Sequence, residues 1–124
     1  MTQPLALVLY ERLIPGSQLV NRLRDLNYRV LTIAEAEKLV ESATAAKPLL
    51  VLTDVVSTGN DVCAAIGRLK QNPATRHLPV IAFGGDKSPE LQAAARDAGA
   101  DLIIGETGLL SHLPQFLDQA LQVE

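Results

Sequence analysis

The sequence predicts a doubly wound α/β fold, a three-layer sandwich in which helices cover both faces of a five-stranded parallel sheet. Five short apolar segments alternate along the chain with five segments of helical spacing. Strands that are apolar throughout are typical of parallel sheets, because both faces of such strands are buried. The alternation gives a (βα)5 order, and 124 residues fit one domain that spans residues 1–124.

The predicted strands are short and bounded by turn residues. The three apolar ones read LALVL, LLVLT and PVIAF and occupy residues 5–9, 49–53 and 79–83. Residues 28–33 (YRVLTI) alternate like a strand, and residues 101–104 form a short fifth strand.

Capping residues and helix breakers delimit the first two predicted helices. Ser17 is a plausible N-cap for a first helix, which Asn27 ends. Residues 34–46 are rich in Ala, Glu and Lys and predict a second helix, which Pro48 breaks.

Three further helices follow the third strand. After a loop at residues 57–60, apolar residues at helical spacing predict a helix that stops near residues 72–73. Ser88 and Pro89 provide a cap and a first helical residue for the fourth helix, which closes at Gly99. The last helix covers residues 111–121 and tolerates Pro114 because it lies in the first turn.

Composition excludes several classes of function. The net charge is −3 and the basic residues are scattered, whereas nucleic-acid binding requires a basic patch. The single cysteine excludes an internal disulfide and a cysteine-based zinc site. No apolar run approaches the roughly 20 residues of a membrane span, and no signal-peptide pattern is visible, so a cytoplasmic protein is predicted.

Polar residues and glycines gather at the carboxyl ends of the predicted strands. Asp54 follows the third strand directly, and Glu11, Gly84 and the pair Gly105-Glu106 follow the first, fourth and fifth strands. In open parallel sheets, ligand sites lie outside this edge, near the point where the strand order reverses. The sequence therefore predicts a functional site there.

Three stretches of the chain, LLVLTD, RHLPVIAF and ARDAGADLII, resemble the receiver domain of bacterial response regulators. The resemblance covers essentially the whole chain and implies a flavodoxin-like, CheY-like fold. It also implies a signalling role in a two-component or phosphorelay pathway. The phosphoacceptor of the family maps onto Asp54, which would receive a phosphoryl group from a histidine kinase or phosphotransferase with the help of Mg²⁺.

The metal-binding positions of the family have changed in this chain. Two adjacent acids that hold Mg²⁺ map onto Tyr10 and Glu11, so one of them is lost. Glu11, Asp54 and the backbone carbonyl of Val56 still offer three oxygen ligands to Mg²⁺.

The positions that would read the phosphoryl group have changed as well. The hydroxyl residue of the family maps onto Gly84, its Lys onto Glu106, the following Pro onto Thr107 and its aromatic switch residue onto Ile103. A carboxylate in place of the Lys would repel a phosphoryl group by about 4 kcal/mol at a separation of 4 Å and an effective dielectric of about 20.

These changes predict a degenerate receiver, or pseudo-receiver, that binds a protein and is not an enzyme. Asp54 then has three interpretations: a working phosphoacceptor, a relic, or a structural cap of the following loop. A functional phosphoacceptor receiver is the first alternative. A cofactor-binding flavodoxin-like domain is the second, although residues 11–17 contain one Gly and no cluster of hydroxyls. No Ser/His/Asp arrangement suggests a hydrolase.

The partner-binding face predicted from the resemblance runs from Ser88 to Leu121, with Gln92, Arg96 and Gln119 on its exposed side. The expected partners are a histidine kinase, a phosphotransferase or a downstream effector, and the chain is a monomer or a weak homodimer through its last helix.

Structural or surface positions, without a chemical role, are expected for three isolated residues and for a glycine pair. Cys63 is a core residue, His77 and His112 lie at the surface or at helix ends, and Gly84-Gly85 forms a turn unless it admits a ligand.

Overall fold

Five parallel strands form one sheet, as predicted. The structure is a computed structural model that describes residues 4–10, 13–56, 61–84, 88–109 and 111–122. The strands lie in the order β2-β1-β3-β4-β5, so β2 and β5 are the edges, and the order reverses between β1 and β3. Their bounds are β1 Leu5–Leu9, β2 Arg29–Ile33, β3 Leu50–Asp54, β4 Val80–Phe83 and β5 Leu102–Ile104.

Helices connect each strand to the next. In the described residues, the helices are α1 Leu13–Asp25, α2 Leu39–Ala46, α3 Val62–Gln71, α4 Pro89–Ala98, α5 Glu106–Leu109 and α6 Leu113–Gln122. The single-turn helix α5 was not predicted from the sequence. None of the described helices has the length and apolar character that a membrane crossing would require.

Helix α1 begins earlier than predicted, so Ser17 is not its N-cap. Pro15 is the third residue of the helix, where its missing N–H has no intrahelical partner to lose. Gly16 follows it inside the helix because the ring of Tyr10 occupies the space that a Cβ atom would need. The predicted end is confirmed, since Asn27 adopts a left-handed conformation with φ 69° just after the helix.

The second predicted helix is shorter than expected. Residues 34–35 are not helical, and Ala36–Lys38 form a 3-10 turn. The backbone of Lys38 (φ −93°, ψ 1°) separates this turn from α2. Lys47 then ends the helix in a left-handed conformation, one residue before Pro48.

The predicted start and end of α4 are confirmed, whereas the cap of α3 was not predicted and the last helix begins at Leu113, two residues later than predicted. The Ser88 hydroxyl accepts from the Leu91 N–H at 3.4 Å, and Gly99 closes α4 with φ 119°. Pro114 is the second residue of α6. Helix α3 begins at an Asp61 cap, whose carboxylate accepts from the Ala64 N–H at 3.0 Å.

Two apolar layers flank the sheet, and they explain why the strands are apolar throughout. Alternate residues of each strand point to opposite faces. One layer joins the sheet to α2, α3 and α4, and includes Leu39, Ile66 and Ala95. The other joins it to α1, α5 and α6, and includes Leu19 and Leu113.

A polar network closes the amino end of the sheet. The ammonium of Lys70 donates to a carboxylate oxygen of Asp101 and to the carbonyl of Leu78, both at 2.8 Å. The same Asp101 oxygen accepts from the Val80 N–H at 2.8 Å. The aliphatic stem of Lys70 lies against Gly99, where an added Cβ would be 2.8 Å from its Cγ. This amino-end network therefore joins α3, β4, β5 and the end of α4.

Candidate functional site

The candidate site lies at the carboxyl edge of the sheet, beside the reversal in strand order. Strand register sets the heights of its residues: Leu9 lies beside Thr53, and Asp54 lies beside Phe83. Tyr10 directly follows β1 and Asp54 ends β3, so the two residues lie at nearly the same height, and by alternation they point to the same face as Phe83. The carboxylate of Asp54 thus lies between two strands that present aromatic residues.

Asp54 is the last residue of β3, and only 1% of its surface is exposed. Its Oδ1 accepts the N–H of Val56 at 2.9 Å, which closes an Asx turn after the strand. The structural interpretation of Asp54, as a cap of the following loop, therefore has a direct contact in support. A group that receives a phosphoryl group must also present an oxygen to the donor, and burial opposes this.

Tyr10, which the resemblance aligns with an acid of the family, packs as an apolar residue. It is half-buried against the α1 layer, and its ring lies over Gly16 in the first turn of α1. A phenol in this position supplies aromatic surface where a divalent ion would need a carboxylate oxygen. Sequence reasoning identified the loss of the acid, but the packing of Tyr10 against Gly16 had no sequence signal beyond a glycine inside a helix.

Gly84 has a backbone conformation that disfavours other residues. Its φ is 89°, in the left-handed region, and the residue is buried. Its N–H donates to the carbonyl of Ile104 at 3.1 Å. The family places a hydroxyl residue here, but a Ser or Thr side chain would strain this backbone. A hydroxyl residue at position 84 would therefore be strained in the backbone conformation that this chain adopts.

Gln92 was predicted to lie on the exposed side of the partner face, and this prediction was wrong. The residue is half-buried, and its side-chain Nε2 donates to the carbonyl of Gly84 at 3.3 Å. Helix α4 turns this residue back toward the end of β4. The other two residues of that prediction, Arg96 and Gln119, are exposed.

The remaining predicted positions fall partly outside the described residues. Ile103 is half-buried in β5 beside Ala82. Glu11, Gly85 and the loop at residues 57–60 lie outside the described residues. Glu106 and Thr107 are the first two residues of α5, and only their backbone is described.

The described residues include part of the Mg²⁺ site that the resemblance implies. They contain no group of three His, Cys, Asp or Glu side chains that could hold a metal ion. Of the predicted ligands, Asp54 and the backbone carbonyl of Val56 are described, whereas Glu11 lies outside the described residues.

The isolated candidate residues have ordinary environments. Cys63 is half-buried against the α3 layer, and burial, with a smaller contribution from the charge of Asp61, raises the pKa of its thiol. A raised pKa keeps the thiol protonated and unreactive. His77 is exposed, and His112 is exposed with its ring edge-on to Phe116, 6.3 Å between centroids.

Comparisons with known proteins relate this fold to signalling domains. No protein-family model matches the sequence, and the search of curated proteins finds none similar to it. Solved structures are similar over nearly the whole chain. The receiver domain of a sensor histidine kinase from Pseudomonas aeruginosa, which has magnesium in its active site cleft, is 19% identical. The match covers 97% of this chain and 98% of that one, with a TM-score of 0.87.

Two further solved structures are similar to this chain over nearly its whole length. The chemotaxis response regulator CheY4 of Vibrio cholerae is 18% identical, with 97% of this chain and 100% of that one covered and a TM-score of 0.83. The receiver domain of NtrX from Brucella abortus is 22% identical, with coverages of 96% and 99% and a TM-score of 0.82. The chain therefore has the CheY-like fold of response-regulator receiver domains, as the resemblance implied.

Proposed function

We propose that this chain is a receiver-like signalling module that acts by binding another protein and is not switched by phosphorylation of Asp54. Receiver-domain neighbours at 18–22% identity support the class of module, because the fold agrees over nearly the full chain. The absence of switching by phosphorylation is proposed from the environment of Asp54, which is buried and accepts the Val56 N–H.

The surroundings of Asp54 support the same proposal. Phosphoryl transfer depends on positioning and on neutralisation of charge around the transferred group. Here Tyr10 stands in place of one acid, and Gly84 has neither the hydroxyl nor a backbone that favours one. On this proposal the chain catalyses no reaction of its own, and the retained Asp54 holds the loop after β3.

Incubation with acetyl phosphate and Mg²⁺, followed by intact-mass measurement, tests the phosphorylation half. We expect no phosphoryl adduct on the wild-type chain, under conditions that modify an active receiver domain in a parallel sample. The matched control is Asp54→Asn, which keeps an oxygen acceptor for the Val56 N–H but cannot be phosphorylated. An adduct on the wild type that is absent from Asp54→Asn would overturn the proposal and make this a phosphoacceptor receiver.

A restored variant sharpens this test. Tyr10→Asp combined with Glu106→Lys returns the missing acid and the missing cation to the positions of the family. If these two losses are what prevents phosphorylation, the double variant gains a phosphoryl adduct or binds Mg²⁺ in a calorimetric titration. If the variant folds but forms no adduct and binds no Mg²⁺, the burial of Asp54 and the backbone at Gly84 are the cause of the missing phosphorylation.

The protein-binding half concerns the face from Ser88 to Leu121. Its exposed residues include Arg96 on α4 and Gln119 on α6. We expect Arg96→Glu to reduce capture of a histidine kinase, phosphotransferase or effector that the wild type binds. Lys38→Glu, an exposed charge reversal beside α2, is the control. Equal capture by both variants would remove this face from the proposal.

A further inference from the structure

The outer edge of β2 contains both of the features that strand pairing needs, unsatisfied backbone groups and an apolar side chain. Among the strands of the described residues, β2 pairs with β1 alone. The Arg29 N–H donates to the Pro4 carbonyl, and the Ile33 carbonyl accepts from the Tyr10 N–H, so residues 29, 31 and 33 direct their backbone groups toward β1. Alternation therefore directs the N–H and C=O groups of Val30 and Thr32 outward, away from the sheet.

An exposed leucine lies at the centre of this edge. Leu31 is the third of the five residues of β2, and 38% of its surface is exposed. Its side chain borders an open groove of about 420 Å³ between β2 and α2. The groove is also lined by Lys38, Glu41, Ser42, Ala45 and Ala46.

We propose that this edge pairs with the same edge of a second copy of the chain, around a two-fold axis at Leu31. In antiparallel pairing about that axis, Val30 of each copy lies opposite Thr32 of the other. Each such pair exchanges two hydrogen bonds, so the four outward groups of each copy are all satisfied. Leu31 then faces its own counterpart at a narrow, non-hydrogen-bonded position, where side chains approach most closely.

A register with its axis at Val30 satisfies fewer groups. An axis at Val30 would bring Tyr28 opposite Thr32, but the Tyr28 N–H already donates to the Leu23 carbonyl within its own chain. The axis at Leu31 combines four satisfied groups per copy with mutual coverage of the exposed leucine.

The charges at the two ends of β2 are also complementary. Arg29 begins the strand, and the exposed Glu35 follows its far end, where it pairs with Lys38 at 3.4 Å in the same chain. Antiparallel pairing brings the Arg29 end of one copy beside the Glu35 end of the other. In this register Arg29 of one copy and Glu35 of the other are diagonal neighbours, which long side chains can span, and the self-complementary edge is what a two-fold dimer requires.

Sedimentation velocity over a wide range of protein concentration tests the association. We expect wild-type self-association, and we expect Leu31→Asp to weaken it roughly tenfold or more, because two carboxylates would then lie opposite one another. Leu49→Asp is the matched control, since Leu49 is 41% exposed and lies outside β2. Thermal unfolding of both variants checks that each remains folded.

Cysteine cross-linking tests the register in a Cys63→Ser background, which removes the only native thiol. Leu31→Cys would form a disulfide between copies, since paired residues at this position have Cα atoms about 4.5 Å apart. Val30→Cys would not, because its counterpart is a diagonal neighbour at about 7–8 Å.

Two outcomes overturn the proposal. A chain that stays monomeric at every concentration leaves the β2 edge to an extended segment of another protein. Association that survives Leu31→Asp, without a cross-link at position 31, assigns the contact to another surface, such as the last helix. The proposal rests on the geometry of β2 and is independent of the chemistry at Asp54.

Discussion

The two ends of the sheet differ in how completely their polar groups are used. At the amino end, one Asp101 oxygen accepts both from Lys70 and from the Val80 N–H, and Lys70 also reaches a carbonyl. At the carboxyl end, Tyr10 is packed as an apolar residue and Gly84 has a left-handed backbone. Asp54 there is bonded to its own loop. The contrast teaches that polar residues in this fold can hold elements together at either end, and that a retained Asp is not by itself evidence of chemistry.

The largest expected effect comes from the amino-end network. Asp101→Ala removes the acceptor shared by Lys70 and Val80, and both donors are largely shielded from water. We expect a loss of about 3 kcal/mol in the free energy of unfolding, measured by urea denaturation. Glu35→Ala, which removes an exposed pair with Lys38, serves as control and is expected to cost less than about 1 kcal/mol. Equal losses would mean that the network contributes no more than a surface pair.

The next effect concerns the backbone at Gly84. Gly84→Ala introduces a Cβ at φ 89° and is expected to reduce the stability by about 1–2 kcal/mol. Gly84→Asn should cost less, because Asn tolerates the left-handed region better than Ala does. Thermal and urea unfolding compare the two variants. If Ala and Asn cost the same, the side chain and not the backbone conformation decides the effect.

A smaller effect is expected at Asp54. Asp54→Asn retains an oxygen for the Val56 N–H, whereas Asp54→Ala leaves that donor without its acceptor. We expect the Ala variant to be about 1 kcal/mol less stable than the Asn variant by urea denaturation. Two variants of equal stability would show that the Asx turn contributes nothing to the fold, and the structural interpretation of Asp54 would lose its support.

The smallest expected effect is on the alkylation rate of Cys63, the second residue of α3. Burial and Asp61 raise the pKa of its thiol above the usual value of 9.0. Less thiolate is then present in the folded chain than in the unfolded chain at pH 8, so alkylation should be slower without urea than with it. The folded rate should keep rising beyond pH 9. A folded rate that is already maximal at pH 8 would contradict the raised pKa.

The fold could be predicted because its main signals are local in sequence. Apolar strands, the Ser88-Pro89 start and the Gly99 stop of α4 each follow from neighbouring residues. The start of α1 was wrong because Pro15 is equally compatible with a turn and with the first turn of a helix.

The environment of the candidate site was less accessible to sequence reasoning. The left-handed Gly84, the inward turn of Gln92 and the contact of Tyr10 with Gly16 each depend on an element distant in the chain or on the course of the backbone. Such features are set by tertiary packing, for which a single sequence has no local pattern.

The contact between Tyr10 and Gly16 also constrains the order in which this chain can evolve. While the aromatic ring is present, any side chain at position 16 overlaps it, so Gly16→Ala is harmful. Once Tyr10 has become small, the same change becomes favourable by up to about 1 kcal/mol, because Ala is a better helix former than Gly. In evolution, loss of Gly16 is therefore expected to follow loss of Tyr10, because a side chain at position 16 is tolerated only when the ring is gone.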